Sequence, residues 1–224
     1  MPTTHQLTIA GYQEQPVPHT YVRNDEPGTG LAVFLPGFGY TCDMPLFYYS
    51  GLLLLGIGMD ILLAEYAYNR APGFSALPLA QQQERVNADV AAVLAVASAE
   101  AGDNGMVVIA KSIGTRALAH WLTSDPPREP ARIIWLTPLL KEEAVRLAIR
   151  QTSQPSLVVT GAADPHHDTA IVADFAERPS TTSIVIPDAN HSLDIGLDPS
   201  ASIHALQFVL AAVRDFMRGE QTSG

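Results

Sequence analysis

Short apolar runs alternate along this chain with longer segments in which apolar residues recur at helical spacing. Residues 31–35 (Leu-Ala-Val-Phe-Leu), 60–64, 106–110, 133–136, 156–160 and 182–186 have the length and aliphatic content of strands covered on both faces. Between them, residues 78–100 repeat Val86, Val90, Val93, Leu94 and Ala97 on one helical face, and residues 113–122 and 141–150 read as shorter helices. A closing helix is expected around Ile203, Leu206, Leu210, Val213 and Met217. Two opening strands, 5–12 and 17–22, are separated by Pro16 and followed by the turn-rich stretch 24–30. Such alternation predicts an α/β fold, a mostly parallel sheet with helices on both faces.

One segment departs from this rhythm. Residues 44–59 carry no charge, yet Pro45, Gly51, Gly56 and Gly58 interrupt them and the run is short for a membrane span, so a buried helix capped by Asp43 is expected. No internal repeat or long linker divides the chain; a single domain over 1–218 and a disordered tail over 219–224 are expected, with 125–130 as a loop.

Composition narrows the function classes. With 47% hydrophobic and 16% charged residues among 224, the chain has the make-up of a globule with a sizeable core. A net charge of −10 with only 13 scattered lysines and arginines argues against nucleic acid as a partner. The lone Cys42 cannot form an intramolecular disulfide, and the amino terminus shows neither a basic region nor an apolar run, so the cytoplasm is the expected compartment.

The chemistry enters at the run 106–114, where a buried strand turns through small residues directly into a helix with Ser112 at the turn. A residue at that apex is held in strained backbone geometry and needs small neighbours two positions away, here Ala110 and Gly114. The helix start supplies free N–H groups that favour an anionic oxygen beside the serine. On the pentapeptide alone, an ordinary helix N-cap is the favoured reading of Ser112. Ligands in open parallel sheets sit at the carboxyl ends of strands. Asp164, in Thr-Gly-Ala-Ala-Asp-Pro, and His191, in Pro-Asp-Ala-Asn-His-Ser, each follow a predicted strand, so Ser112, Asp164 and His191 fall at one sheet edge in that order.

This order and these placements resemble the α/β-hydrolase superfamily over nearly the whole chain, and in size its compact dienelactone-hydrolase-like or small serine-esterase members. The family's Gly-x-Ser-x-Gly appears here as Ala110-Lys111-Ser112-Ile113-Gly114, and its His-Gly-x-Gly oxyanion loop as Pro36-Gly37-Phe38-Gly39. The resemblance implies an α/β-hydrolase fold without a large cap domain, since only residues 137–155 separate the strand ending at Leu136 from the next. It also implies Ser112 as nucleophile, His191 as base and Asp164 as the acid orienting it, with the N–H groups of Phe38 and Ile113 facing the oxyanion. Gly37, Tyr40, Met44, Tyr68 and Leu139 are candidates to line the pocket.

Rival assignments are weaker on physical grounds. The strand ending Leu136-Thr137-Pro138 carries no adjacent carboxylate, and Asp188 and Asp194 lie too close to His191 in sequence to orient it, although Asp194 can buttress its loop; His120 and His204 fall on predicted helices. His166, His167 and Asp168 invite a metal, but consecutive residues point apart, so a solvated loop with Asp168 capping the next helix is expected, and no metal or cofactor. Cys42 reads as a small core residue. The expected function is hydrolysis of a carboxylic ester or thioester of a small-molecule acyl substrate. An acyltransferase or perhydrolase with the same residues, or a noncatalytic binding protein on the scaffold, are the alternatives. Homo-oligomers could form through 44–59 or an edge strand.

Overall fold

The computed structural model describes residues 2–25, 28–124, 126 and 128–219. Eight strands form one sheet in the order β1 (Thr3–His5), β2 (His19–Arg23), β4 (Asp60–Ala64), β3 (Leu31–Leu35), β5 (Met106–Ser112), β6 (Arg132–Pro138), β7 (Ser156–Gly161) and β8 (Thr181–Ile186). The first two pairings, β1 with β2 and β2 with β4, are antiparallel and the rest parallel. Side chains alternate across the pleat, so β5 sends Met106, Val108 and Ala110 into one core and Val107 and Ile109 into the other. The first core lies under α2 (Leu79–Ala101), α3 (Ile113–Leu122), α4 (Glu143–Gln151) and α5 (Thr169–Ala176). The second lies under α1 (Pro45–Gly56) and α6 (Pro199–Arg218).

Three expectations are corrected by tertiary contacts. The strand expected over 5–12 ends at His5, because the chain turns at Tyr12–Glu14 into a short 3₁₀ segment whose Tyr12 N–H reaches Asp89 Oδ1 at 2.8 Å. Gly11 permits that approach, since a Cβ there would lie 2.2 Å from the same oxygen. The second strand starts at His19 and not at 17, where Pro16 and Pro18 have no N–H to give a ladder. The 44–59 helix is only half buried: Leu46, Phe47 and Leu54 face the core while Tyr48, Tyr49 and Leu52 are exposed, and the residue at its N-cap is Met44, with no side-chain cap from Asp43. Because its apolar residues run all the way round, periodicity carried no information about which side would be covered.

The turn residues Glu26 and Pro27, the loop residues Asp125 and Pro127, and the tail at 220–224 lie outside the described residues. Gly219, expected in the tail, is the left-handed cap of α6 at φ 75°. No helix among the described residues is long and apolar enough to cross a membrane.

Candidate functional site

Strand β5 ends in a turn that no ordinary residue adopts cheaply. Ser112 has φ 53° and ψ −119°, and α3 begins at the next residue. The turn is possible only because its neighbours yield space: Ala110 is fully buried, and a Cβ on Gly114 would lie 2.3 Å from the Leu35 carbonyl oxygen. Thr115, one turn into α3, donates its hydroxyl to the Ser112 carbonyl at 2.6 Å and accepts from Leu139 N–H at 3.3 Å, which ties the helix start to the end of β6.

The β7 and β8 ends converge on this turn. Gly161 lets the His191 loop lie directly on β7, because a Cβ there would meet the Ala189 carbonyl oxygen at 2.1 Å. His191 Nε2 then stands 2.9 Å from Ser112 Oγ, and its Nδ1 stands 2.8 Å from Asp164 Oδ2. A carboxylate only accepts, so Nδ1 carries the proton and Nε2 accepts from the serine hydroxyl. The Asp164 side chain is almost fully buried, and its second oxygen accepts from His166 N–H at 2.8 Å. Burial opposes ionisation of that carboxyl, but the His191 and His166 hydrogen bonds outweigh it and hold the group below the usual carboxylate range.

Two backbone donors flank the serine. The first N–H of α3, on Ile113, has no acceptor within its own helix. In the loop after β3, Gly37 presses against the serine, where a Cβ would lie 3.2 Å from the Ser112 Cβ. Gly37 N–H is engaged by the Tyr40 carbonyl at 3.2 Å, while Phe38 N–H makes no hydrogen bond among the described residues. The Phe38 ring is 40% exposed, open to a ligand, and packs on Phe74, which stacks on Tyr68.

The pocket candidates divide. Tyr40 and Met44 line a groove of about 330 Å³ beside the His191 loop, with Pro45, Leu46, Leu193 and Leu206. Tyr68 faces elsewhere: it is buried and its hydroxyl donates to Asp89 at 2.8 Å, so it supports Phe38 from behind through Phe74. Leu139 is likewise buried, drawn into the core by the Thr115 bond.

Among the rival residues, His120 and His204 are exposed on α3 and α6. Asp168 caps α5 through bonds to Ala170 and Ile171 N–H, and the His167 ring lies 3.2 Å from the Thr160 hydroxyl. Asp194 braces the His191 loop by exchanging backbone and side-chain bonds with Asn190. His166 is closer to the chemistry than its loop position suggested: its ring centre is 5.2 Å from that of His191, and burial first, then the neighbouring imidazole, hold it below the ordinary range. Cys42 is buried with its thiol 3.3 Å from the Ala64 carbonyl, and burial pushes that thiol far up, which leaves it inert.

Sequence reasoning passed over Lys111. It continues the alternation of Val107 and Ile109 on the core face, is 1% exposed, and packs its Nζ 4.8 Å from the Tyr40 ring centre. A lysine on a face otherwise occupied by valine and isoleucine was the available signal.

No protein-family model matches the chain, and no curated protein matches it by sequence. Solved structures do match it in shape. XC6422 from Xanthomonas campestris, described as a serine hydrolase without lid, is 18% identical with a TM-score of 0.68, over 99% of this chain and 96% of that one. A dienelactone hydrolase from Anabaena variabilis is 16% identical with a TM-score of 0.70, over 94% and 96%. Est1E from Butyrivibrio proteoclasticus is 15% identical with a TM-score of 0.71, over 95% and 97%. Between β6 and β7 this chain has only α4, held to α3 by the Arg116–Glu142 ion pair, and the chain has the α/β-hydrolase fold in its lid-less form.

Proposed function

We propose that the protein is a serine hydrolase that cleaves carboxylic esters or thioesters through an acyl-enzyme on Ser112. The observation that carries this reading is the continuous chain from Ser112 Oγ through His191 to Asp164, at 2.9 and 2.8 Å, with two free backbone N–H groups beside the serine. As Oγ attacks the substrate carbonyl carbon, its proton passes to His191 Nε2, and Asp164 holds the imidazole in the productive tautomer while it is charged. The carbonyl oxygen gains the negative charge and meets the N–H groups of Phe38 and Ile113; one such donor is worth about 3 kcal/mol of barrier. Collapse expels the alcohol or thiol, which takes the proton from His191. Water then repeats the sequence, giving the acid and restoring Ser112.

A small apolar acyl group suits the groove of Tyr40, Met44 and Leu206. A single catalytic domain over 1–218, working in the cytoplasm, completes the proposal. The test is turnover of a panel of p-nitrophenyl esters and acyl thioesters by wild type and Ser112→Ala. Loss of at least about a thousandfold in kcat, with labelling of the wild type at Ser112 by a fluorophosphonate, is the expected result. A Ser112→Ala protein that keeps its activity, or a wild type that neither reacts with the probe nor turns over any member of the panel, overturns the reading. Adding alcohols or peroxide to the same assay reports whether water is the acceptor, because both would compete for one acyl-enzyme.

A further inference from the structure

Lys111 is a charged side chain placed where the sheet offers nothing but hydrocarbon. Its side chain leaves β5 on the α1 and α6 side, among Val107, Ile109 and Leu136, and no part of it reaches solvent in quantity. Such a group is retained in a core only if its polar end is satisfied. The Nζ donates to the Thr137 hydroxyl at 2.5 Å and to the His191 carbonyl oxygen at 2.6 Å, and the Tyr40 ring face covers it.

Both acceptors are held in unusual backbone. The β5–β6 ladder runs Lys111 with Leu136 and then Ser112 with Pro138, so Thr137 is the extra residue of a bulge, and its φ of 40° is costly for a β-branched side chain. That bulge turns the fully buried hydroxyl toward Nζ. The His191 loop is flanked by Asp188 at φ 57° and Leu193 at φ 68°. Of the positive-φ residues, Thr137 touches the amino group directly, Ser112 follows Lys111 in the chain, and Asp188 and Leu193 flank the His191 loop it holds; strain of this kind persists only where contacts over-determine it. The charged groups facing the lysine are Asp164, from the loop after β7, and Asp194, from the His191 loop; burial nevertheless draws its ammonium down to about 7. In either protonation state it retains the two N–H donors that the Thr137 and His191 bonds use.

We propose that Lys111 is a positioning residue for the acyl-transfer reaction, pinning the backbone of His191 to the β6 bulge so that the imidazole spans Ser112 and Asp164. It touches no reacting atom; it acts through the histidine it holds. The inference rests on the serine-hydrolase reading above.

Three variants test it: Lys111→Met, Thr137→Val, and Lys111→Cys in a Cys42→Ser background, alkylated while unfolded to the aminoethyl thioether that restores a lysine-length amine. With p-nitrophenyl acetate, whose acyl group is too small to depend on the Tyr40 groove, Lys111→Met is expected to lower kcat about a hundredfold with KM within about threefold, because the base is misplaced. Thr137→Val, which removes one of the two acceptors, should cost about tenfold, and the aminoethylated protein should recover most of the loss relative to Cys42→Ser. The downfield proton resonance of His191 Nδ1–H, present in wild type, should vanish or broaden in Lys111→Met and return on aminoethylation. Unchanged kcat and an unchanged resonance in Lys111→Met and Thr137→Val overturn the proposal, as does a loss that aminoethylation of refolded protein does not restore. Should Lys111→Met fail to fold, Thr137→Val and the aminoethylated protein decide the matter. A wild type inactive on every ester removes the reading beneath, whereas the resonance, which needs no substrate, still reports whether the lysine holds the imidazole.

Discussion

Two buried ionisable groups of opposite sign anchor two loops in this protein, and they differ in what lies beyond the anchor. Asp89, on α2, receives Tyr12 N–H and the Tyr68 hydroxyl, both at 2.8 Å, with Arg85 at 3.9 Å. It fastens the amino-terminal 3₁₀ turn and the aromatic stack of Tyr66, Tyr68 and Phe74 to the helical layer. Lys111, on β5, fastens the His191 loop to the β6 bulge. Behind Asp89 stands the aromatic stack, which reaches Phe38 only through Phe74, so an error of an ångström there is spread over packed rings before it meets the site. Behind Lys111 stands His191, which in the proposed reaction accepts the Ser112 proton, and there the same error would be felt in the rate. The physics of satisfying a buried ionisable group is common to both, and position in the fold makes one a matter of stability and, in the proposed reaction, the other a matter of chemistry.

The largest effect is expected where the two kinds of role meet, at Asp164, which both orients His191 and faces Lys111. Asp164→Asn should lower kcat by about a thousandfold or more, since the amide favours the wrong imidazole tautomer; a loss below tenfold in ester turnover would contradict its assignment. Next, Asp89→Ala leaves two buried donors without an acceptor and should lower unfolding free energy by about 3 kcal/mol. In the folded protein its kcat should stay within about threefold of wild type. If kcat instead falls as far as in Lys111→Met, the contrast between the two anchors is lost.

A pH series sharpens the same contrast. The folded-state ammonium of Lys111 loses its proton near 7, against 10.5 ordinarily, so between those values the unfolded chain binds more protons and stability must rise with pH. Below 7 both states are protonated and the burial penalty is at its full, constant size. From pH 7 to 9 denaturant melts of wild type should therefore gain on the order of 2 kcal/mol relative to Lys111→Met. A parallel pair of curves would show that the amine is charged throughout. The smallest effect is expected at Tyr40, whose hydroxyl oxygen accepts from Leu46 N–H at 3.1 Å. Tyr40→Phe keeps the ring over Lys111 and should cost about 1 kcal/mol in stability, with kcat little changed.

Much of the sheet was legible because its strands are covered on both faces and so read as unbroken aliphatic runs, as at 31–35 and 60–64. The amphipathic α2 was equally legible, its buried Val86, Val90, Val93 and Leu94 marked by polar residues on the other side. In α1 no polar side exists, and the exposed Tyr48, Tyr49 and Leu52 had no signature to separate them from Leu46, Phe47 and Leu54. The first strand was overextended because the 3₁₀ turn that closes the segment at Tyr12–Glu14 is fixed by Asp89, 77 positions from Tyr12.

By itself the sequence determined the alternation of strands and helices, the tight turn that needs Ala110 and Gly114 around Ser112, and the candidates at successive strand ends. These are local properties, set by side-chain period, volume and backbone freedom within a few residues. Only the tertiary structure decided that Ser112, His191 and Asp164 meet within hydrogen-bond distance, that Tyr68 and Leu139 turn inward, and that Lys111 reaches the His191 carbonyl. Each of those depends on where separate strands end relative to one another, and that is fixed by sheet order and by close approaches such as Gly161 against Ala189, not by any one segment's preference.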